Sequence, residues 1–68
     1  MEYTAVIKHA DKWWIGWVEE IPGVNCQERT REKLMESLRI TLSEAIEFNR
    51  GDALAAAGED YQETKIAI

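Results

Sequence analysis

The first half of the chain alternates on a two-residue period, and the second half on a period of three to four. Tyr3 to His9 reads Tyr-Thr-Ala-Val-Ile-Lys-His, rich in the β-branched and aromatic residues that suit a pleated strand. Ala10-Asp11-Lys12 then breaks the run, and Trp13 to Val18 resumes it. So short a connection predicts an antiparallel hairpin. Successive strand side chains point to opposite faces, which puts Trp13, Ile15 and Trp17 on one side of the second strand and Trp14, Gly16 and Val18 on the other. Both sets are apolar. A strand with one wet face alternates apolar with polar residues, so this pattern predicts cover on both sides of the sheet.

Glu19-Glu20-Ile21-Pro22-Gly23 interrupts the strand pattern, because Pro22 has no amide donor and Gly23 reaches positive φ without strain. Val24 to Glu28 follows as a short third strand. Thr30 is placed to cap a helix, Glu32 to favour its dipole, and no Gly or Pro occurs from Arg31 to Asn49. Within that stretch Leu34, Leu38, Leu42, Ala45 and Ile46 recur at helical spacing, with Glu36, Arg39, Ser43, Glu47 and Arg50 mostly opposite. Gly51 is expected to end the helix, and Asp52 to cap a second helical turn over Ala53 to Ala57 that stops at Gly58. From Tyr61 to Ile68 the period returns to two, with Thr64, Ile66 and Ile68 set against Glu63, Lys65 and Ala67. This predicts a fourth strand, which a right-handed crossover would return to the sheet beside the first.

The expected fold is therefore a single α+β domain over residues 1–68, ordered β-β-β-α-β, with a small antiparallel or mixed sheet and one main helix on one face. Either face of the sheet can meet that helix on this pattern alone. The other face is left with tryptophan and aliphatic groups uncovered. Burying each such group is worth about 1.5–3 kcal/mol, so two or three of them rival the few kcal/mol that so small a core supplies. Self-assembly as a homodimer or tetramer, or a protein partner, is the expected remedy. Trp13, Ile15, Trp17 and Tyr3 are the candidate interface.

Composition narrows the other options. Apolar residues make up 46% and charged residues 31% of the 68, a globular balance well away from that of disordered chains. A domain this small often needs a disulfide or a metal. The lone Cys26 forms no intrachain disulfide, and Cys26 with His9 falls short of the roughly four N or S ligands a structural zinc takes. A single free cysteine fits a reducing cytoplasm. No segment has the length of an apolar membrane span or the layout of a secretion signal, so neither membrane association nor export is expected. The formal net charge of −5 repels nucleic acid and attracts a basic protein, so direct nucleic-acid binding is not expected.

Catalytic constellations are weak. His9 stands at a strand end without a predictable Ser or Cys partner, and Cys26 reads as a small buried hydrophobe. Glu32, Glu36, Glu44 and Glu47 fall on or near the polar side of the helix, where solvation explains them. There is no phosphate-cradling glycine loop and no HExxH pattern. No catalytic, cofactor or metal residue is expected, and no cofactor. The three tryptophans would suit base stacking only inside a basic surround, and this one is acidic.

The ordered set Tyr3-Thr4-Ala5-Val6-Ile7, the aromatic strand Trp13 to Val18 running into Glu20-Ile21-Pro22-Gly23, then Cys26-Gln27 and the capping Thr30, resembles the HicB-like antitoxin family over nearly the whole chain. The resemblance implies a partial RNase H-like fold that neutralises a small, basic, RNA-cleaving toxin of the HicA type by direct binding. Val24 stands where many members carry Cys, and Glu28-Arg29 replaces a commoner Gly-acidic pair. Many members add a DNA-binding helix-turn-helix or ribbon-helix-helix, which these 68 residues do not include, so operator binding by this chain is not expected. RNase H chemistry places a metal-binding carboxylate on the first strand, and Tyr3 to His9 contains no Asp or Glu. Two functions stand beside the antitoxin reading. One is a stand-alone oligomeric interaction protein without a toxin, and the other is a degenerate nuclease, which would need a carboxylate cluster assembled by the fold.

Overall fold

A computed structural model of the chain describes residues 2–68. The hairpin forms as β1 (Ala5–Ala10) and β2 (Trp13–Val18), antiparallel, with Ala5 opposite Val18 and Ala10 opposite Trp13. That register leaves only Asp11 and Lys12 in the turn. Asp11 takes φ 58°, a left-handed conformation that short polar side chains tolerate better than most. β3 (Asn25–Glu28) pairs antiparallel with the far side of β2, Trp14 opposite Glu28 and Trp17 opposite Asn25, so the sheet order is β1-β2-β3. The uncharged Trp13–Val18 run is thus the central strand.

The Glu20 to Gly23 segment closes the sheet at the end where β2 leaves it. The Glu19 amide donates to the Thr4 carbonyl at 2.9 Å, and the Val18 amide to the Val24 carbonyl at 3.1 Å. The Val24 amide reaches back to the Ile21 carbonyl at 3.4 Å, with Gly23 at φ 91°. Proline second and a positive-φ glycine third is the chemistry of a type II turn.

Helix α1 runs unbroken from Arg31 to Ala57. Thr30 caps it in extended conformation, its hydroxyl accepting from the Lys33 amide at 3.1 Å, and Glu32 lies in the first turn as expected. The expected stop at Gly51 and the separate turn over Ala53 to Ala57 are both corrected. The helix passes through Gly51 and ends at Gly58, whose φ is 72° and whose amide donates to the Leu54 carbonyl at 3.2 Å. An interior glycine costs a helix only about 1 kcal/mol relative to alanine, and Ala53, Leu54, Ala55, Ala56 and Ala57 are strong helix formers that carry it past that point.

Gly16 decides which face of the sheet the helix covers. A Cβ built there would lie 3.0 Å from Ile7, 3.0 Å from Leu38 and 3.2 Å from Leu34. The Trp14-Gly16-Val18 side is therefore the inner one, and the missing side chain lets the helix come close to β2. Val18, Val24, Leu34 and Leu38 form the buried core, with Tyr3, Ala5, Ile7, Trp14, Ile21, Cys26, Leu42 and Ala45 packed around it. The helix lies mainly over β2 and β3.

The expected fourth strand does not form. Residues 61–68 have no regular structure and are exposed throughout, so the architecture is α+β with three antiparallel strands, one helix and an irregular tail. The cause is length. Twenty-seven helical residues extend about 40 Å, whereas a six-residue strand spans about 20 Å. Every core residue precedes position 46, and the rest of the helix carries the chain away from the sheet. The radius of gyration is 15.1 Å and the extents are 51 × 23 × 15 Å, against about 11 Å for a compact chain of this size.

Candidate functional site

The face of the sheet opposite the helix is the candidate site, and the strand register assembles it. Val6 pairs with Trp17, Lys8 with Ile15 and Ala10 with Trp13; Asn25 and Gln27 flank Trp17 and Ile15 from β3. All of these side chains project away from Gly16's inner side. No element of the described chain lies across them. A shallow depression of about 440 Å³ opens over Ile15, Trp17, Asn25, Gln27 and the backbone of Gly16 and Cys26.

The three tryptophans have different surroundings. Trp14, on the inner side, is stacked by His9 across the hairpin, with ring centroids 4.6 Å apart and planes within 5°. Trp13, on the open side, is capped by the Arg29 guanidinium, 4.1 Å above its ring. Such a contact is worth about 0.5–1 kcal/mol at an exposed site. Trp17 remains 40% exposed. It is the uncovered aromatic of the face.

The structure thus brings Trp13, Ile15 and Trp17 together as expected, but it separates Tyr3 from them. Tyr3 packs against the core on the helix side, where it borders a groove of about 200 Å³ with Ala5, Val18, Met35, Leu38, Arg39 and Leu42. Its position two residues before Ala5 shares the odd-numbered parity of Ala5 and Ile7, both of which face inward. Val6, Lys8, Asn25, Gln27 and Arg29 belong to the open face and were not singled out from sequence. A two-residue turn at Asp11-Lys12 fixes the register that reveals the first two.

Glu20, Ile21, Pro22 and Gly23 form a structural clamp. Ile21 packs on the core, and the Glu20 carboxylate accepts the Thr4 amide at 2.8 Å. That backbone hydrogen bond holds the Glu20 carboxyl below its usual value of 4.5.

The groups weighed for catalysis are dispersed. His9 is occupied with Trp14, and the Cys26 sulfur is 3.5 Å from the Thr41 hydroxyl between sheet and helix. Glu32, Glu36, Glu44 and Glu47 are all exposed on the helix, while Glu28 accepts the Ser37 hydroxyl at 2.7 Å and so ties β3 to the helix. Among the described residues, no group of three or more His, Cys, Asp or Glu side chains is placed to hold a metal ion. No helix among them is long and apolar enough to cross a membrane.

The charge is unevenly distributed. The strand positions of the open face carry one cation, Lys8, with Arg29 at the rim, and no carboxylate. Most of the acidic excess lies along the helix and the tail. In comparisons with known proteins, the chain matches no family model, no curated protein and no solved structure.

Proposed function

We propose that this chain acts by binding another protein through its open sheet face, as an antitoxin of the HicB-like kind that masks a small, basic, RNA-cleaving toxin of the HicA type. The observation that carries the reading is the row of Trp13, Ile15 and Trp17 with Val6 beside it, crossed by no other element of the described chain and with Trp17 exposed, on a central strand whose other face is already packed. Aromatic and aliphatic anchors at the middle of a polar-rimmed face are what tight protein contacts use. The formal charge of −5 steers a basic partner toward the molecule, and the apolar face then holds it.

Co-expression with a basic HicA-type ribonuclease tests this. The expected result is a stable co-purifying complex and restored growth, with Trp17→Lys abolishing both while far-ultraviolet circular dichroism stays unchanged. Failure of the wild-type chain to bind such a toxin at micromolar concentration overturns the proposal.

A second reading, a stand-alone oligomeric interaction protein, draws on the same exposed face. It places another copy of the chain on Trp17. In that case Trp17→Lys lowers the mass in solution, and no toxin is needed to see the effect.

A further inference from the structure

The tail and the outer edge of β1 are two halves of an unmade strand pairing. β1 is an edge strand, with β2 on one side only. Its outward backbone groups are free to template another strand. Beside that edge runs the apolar groove between Tyr3, Ala5 and Val18 on the sheet and Met35, Leu38 and Leu42 on the helix. The helix lies mainly over β2 and β3, so the β1 side of the inner face is its less covered side. At the other end of the molecule, Tyr61 to Ile68 keeps the two-residue alternation of a strand. It leaves Ile66 87% exposed, and Ile68 is fully exposed.

The tail does not reach the groove of its own chain. Leu42 marks the near end of that groove, and Gly58 lies sixteen residues beyond it along the helix, about 24 Å away. At roughly 3.3–3.6 Å per residue, about seven residues after Gly58, as far as Lys65, are spent on the return. Most of the alternating segment Tyr61 to Ile68 is then used up as a tether and is not free to pair along Ala5–Ala10. A second copy has no such tether, because its tail can approach from outside.

Charge agrees with this match. The tail carries Glu59, Asp60 and Glu63 against one lysine, Lys65, while the groove is rimmed by Arg39. The one ion pair that the tail makes with its own helix, Arg50 to Glu63 at 3.9 Å, is exposed on both sides and is therefore easily exchanged.

We infer that two copies of this chain exchange their tails, Tyr61 to Ile68 of each adding as a fourth strand to the β1 edge of the other and seating Ile66 and Ile68 against the groove. Donor and acceptor lie on the same chain, so a twofold arrangement closes both edges at once. The contact lies on the inner side and edge of the sheet and does not depend on the open face.

Light scattering of the full chain over a concentration series, paired with cysteine trapping, tests the exchange. The mass is expected to rise from the 7.8 kDa of one chain to twice that. The double variant Ile66→Asp, Ile68→Asp should raise the dissociation constant at least tenfold with helix content unchanged. In a Cys26→Ser background, mixing a Tyr3→Cys chain with an Ile66→Cys chain should yield a disulfide between the two. Three outcomes overturn the inference. One is a single-chain mass at every concentration, and another is a dimer indifferent to the double aspartate variant. The third is a disulfide that closes within one chain when both cysteines are placed on it, which would mean that the helix breaks and the tail returns to its own sheet.

Discussion

The segment up to Ala45 and the segment after it are built from similar residues and have opposite fates. Leu34 and Leu38 are buried against Val18 and Val24, whereas Phe48, on the same helix, is 69% exposed. Both stretches have good helix formers and apolar residues at intervals. The difference lies in what stands opposite. Residues 31–45 have a sheet beneath them, and residues 46–57 extend beyond its end. Isolated helices of that length are marginal in water, so the outer half depends on continuity with the inner half. Burial here follows from where an element ends relative to its neighbour, and hydrophobicity along the chain does not report that.

The sharpest test of the contrast is to remove one large side chain from each half. Leu34→Ala should cost about 3 kcal/mol or more, within the usual range for a fully buried leucine, and in a core of four buried residues that should be enough to unfold most of the molecule. Phe48→Ala should change stability by less than about 0.5 kcal/mol. Urea unfolding of the two variants measures both, and equal losses would erase the distinction. Gly16→Ala probes the inner half from the opposite direction, by adding volume. With neighbours 3.0 Å from the added carbon, a loss of about 1–3 kcal/mol is expected.

Gly51→Ala examines the outer half. Nothing lies within 4 Å of a Cβ at that position, so the change should add about 0.5–1 kcal/mol of helix stability. Amide exchange should slow from 46 to 57 and change little from 31 to 45. The smallest effect concerns the clamp at Glu20. Because the Thr4 amide lowers the folded pKa of Glu20 below its ordinary 4.5, its contribution is present above that ordinary value and is lost as pH falls through the lowered one. Glu20→Gln should therefore flatten the acid limb of the stability profile and leave the slope near neutrality unchanged.

The inner half was readable from sequence for a physical reason. Its strands are short, its turns are closed by Asp11 and by Pro22-Gly23, and Thr30 marks the helix start, so each local signal agrees with the final contacts. The face shared by Trp13, Ile15 and Trp17 followed from alternation alone. The side on which the helix would land did not, because it rests on Gly16 having no side chain, and an apolar pattern on both faces carries no preference. Tyr3 was misplaced because its parity depends on the hairpin register. The outer half misled for a different reason. Gly51 is a real stop signal of modest strength, and the alanines after it outweigh it. Once the helix runs on, the alternation from Tyr61 to Ile68 has no sheet edge of its own within reach. That segment has a strand's pattern without a strand's neighbour.

Gly16 also gives the molecule leverage. It lies beneath Leu34 and Leu38, near the start of a rod about 40 Å long, so whatever sets the spacing at that point sets the direction of everything beyond it. A tilt of about 5° at this fulcrum would swing Ala57 by roughly 3 Å. A hydrogen atom in the middle of the central strand thereby aims the far end of the helix, and a substitution there would be felt most where it is furthest away.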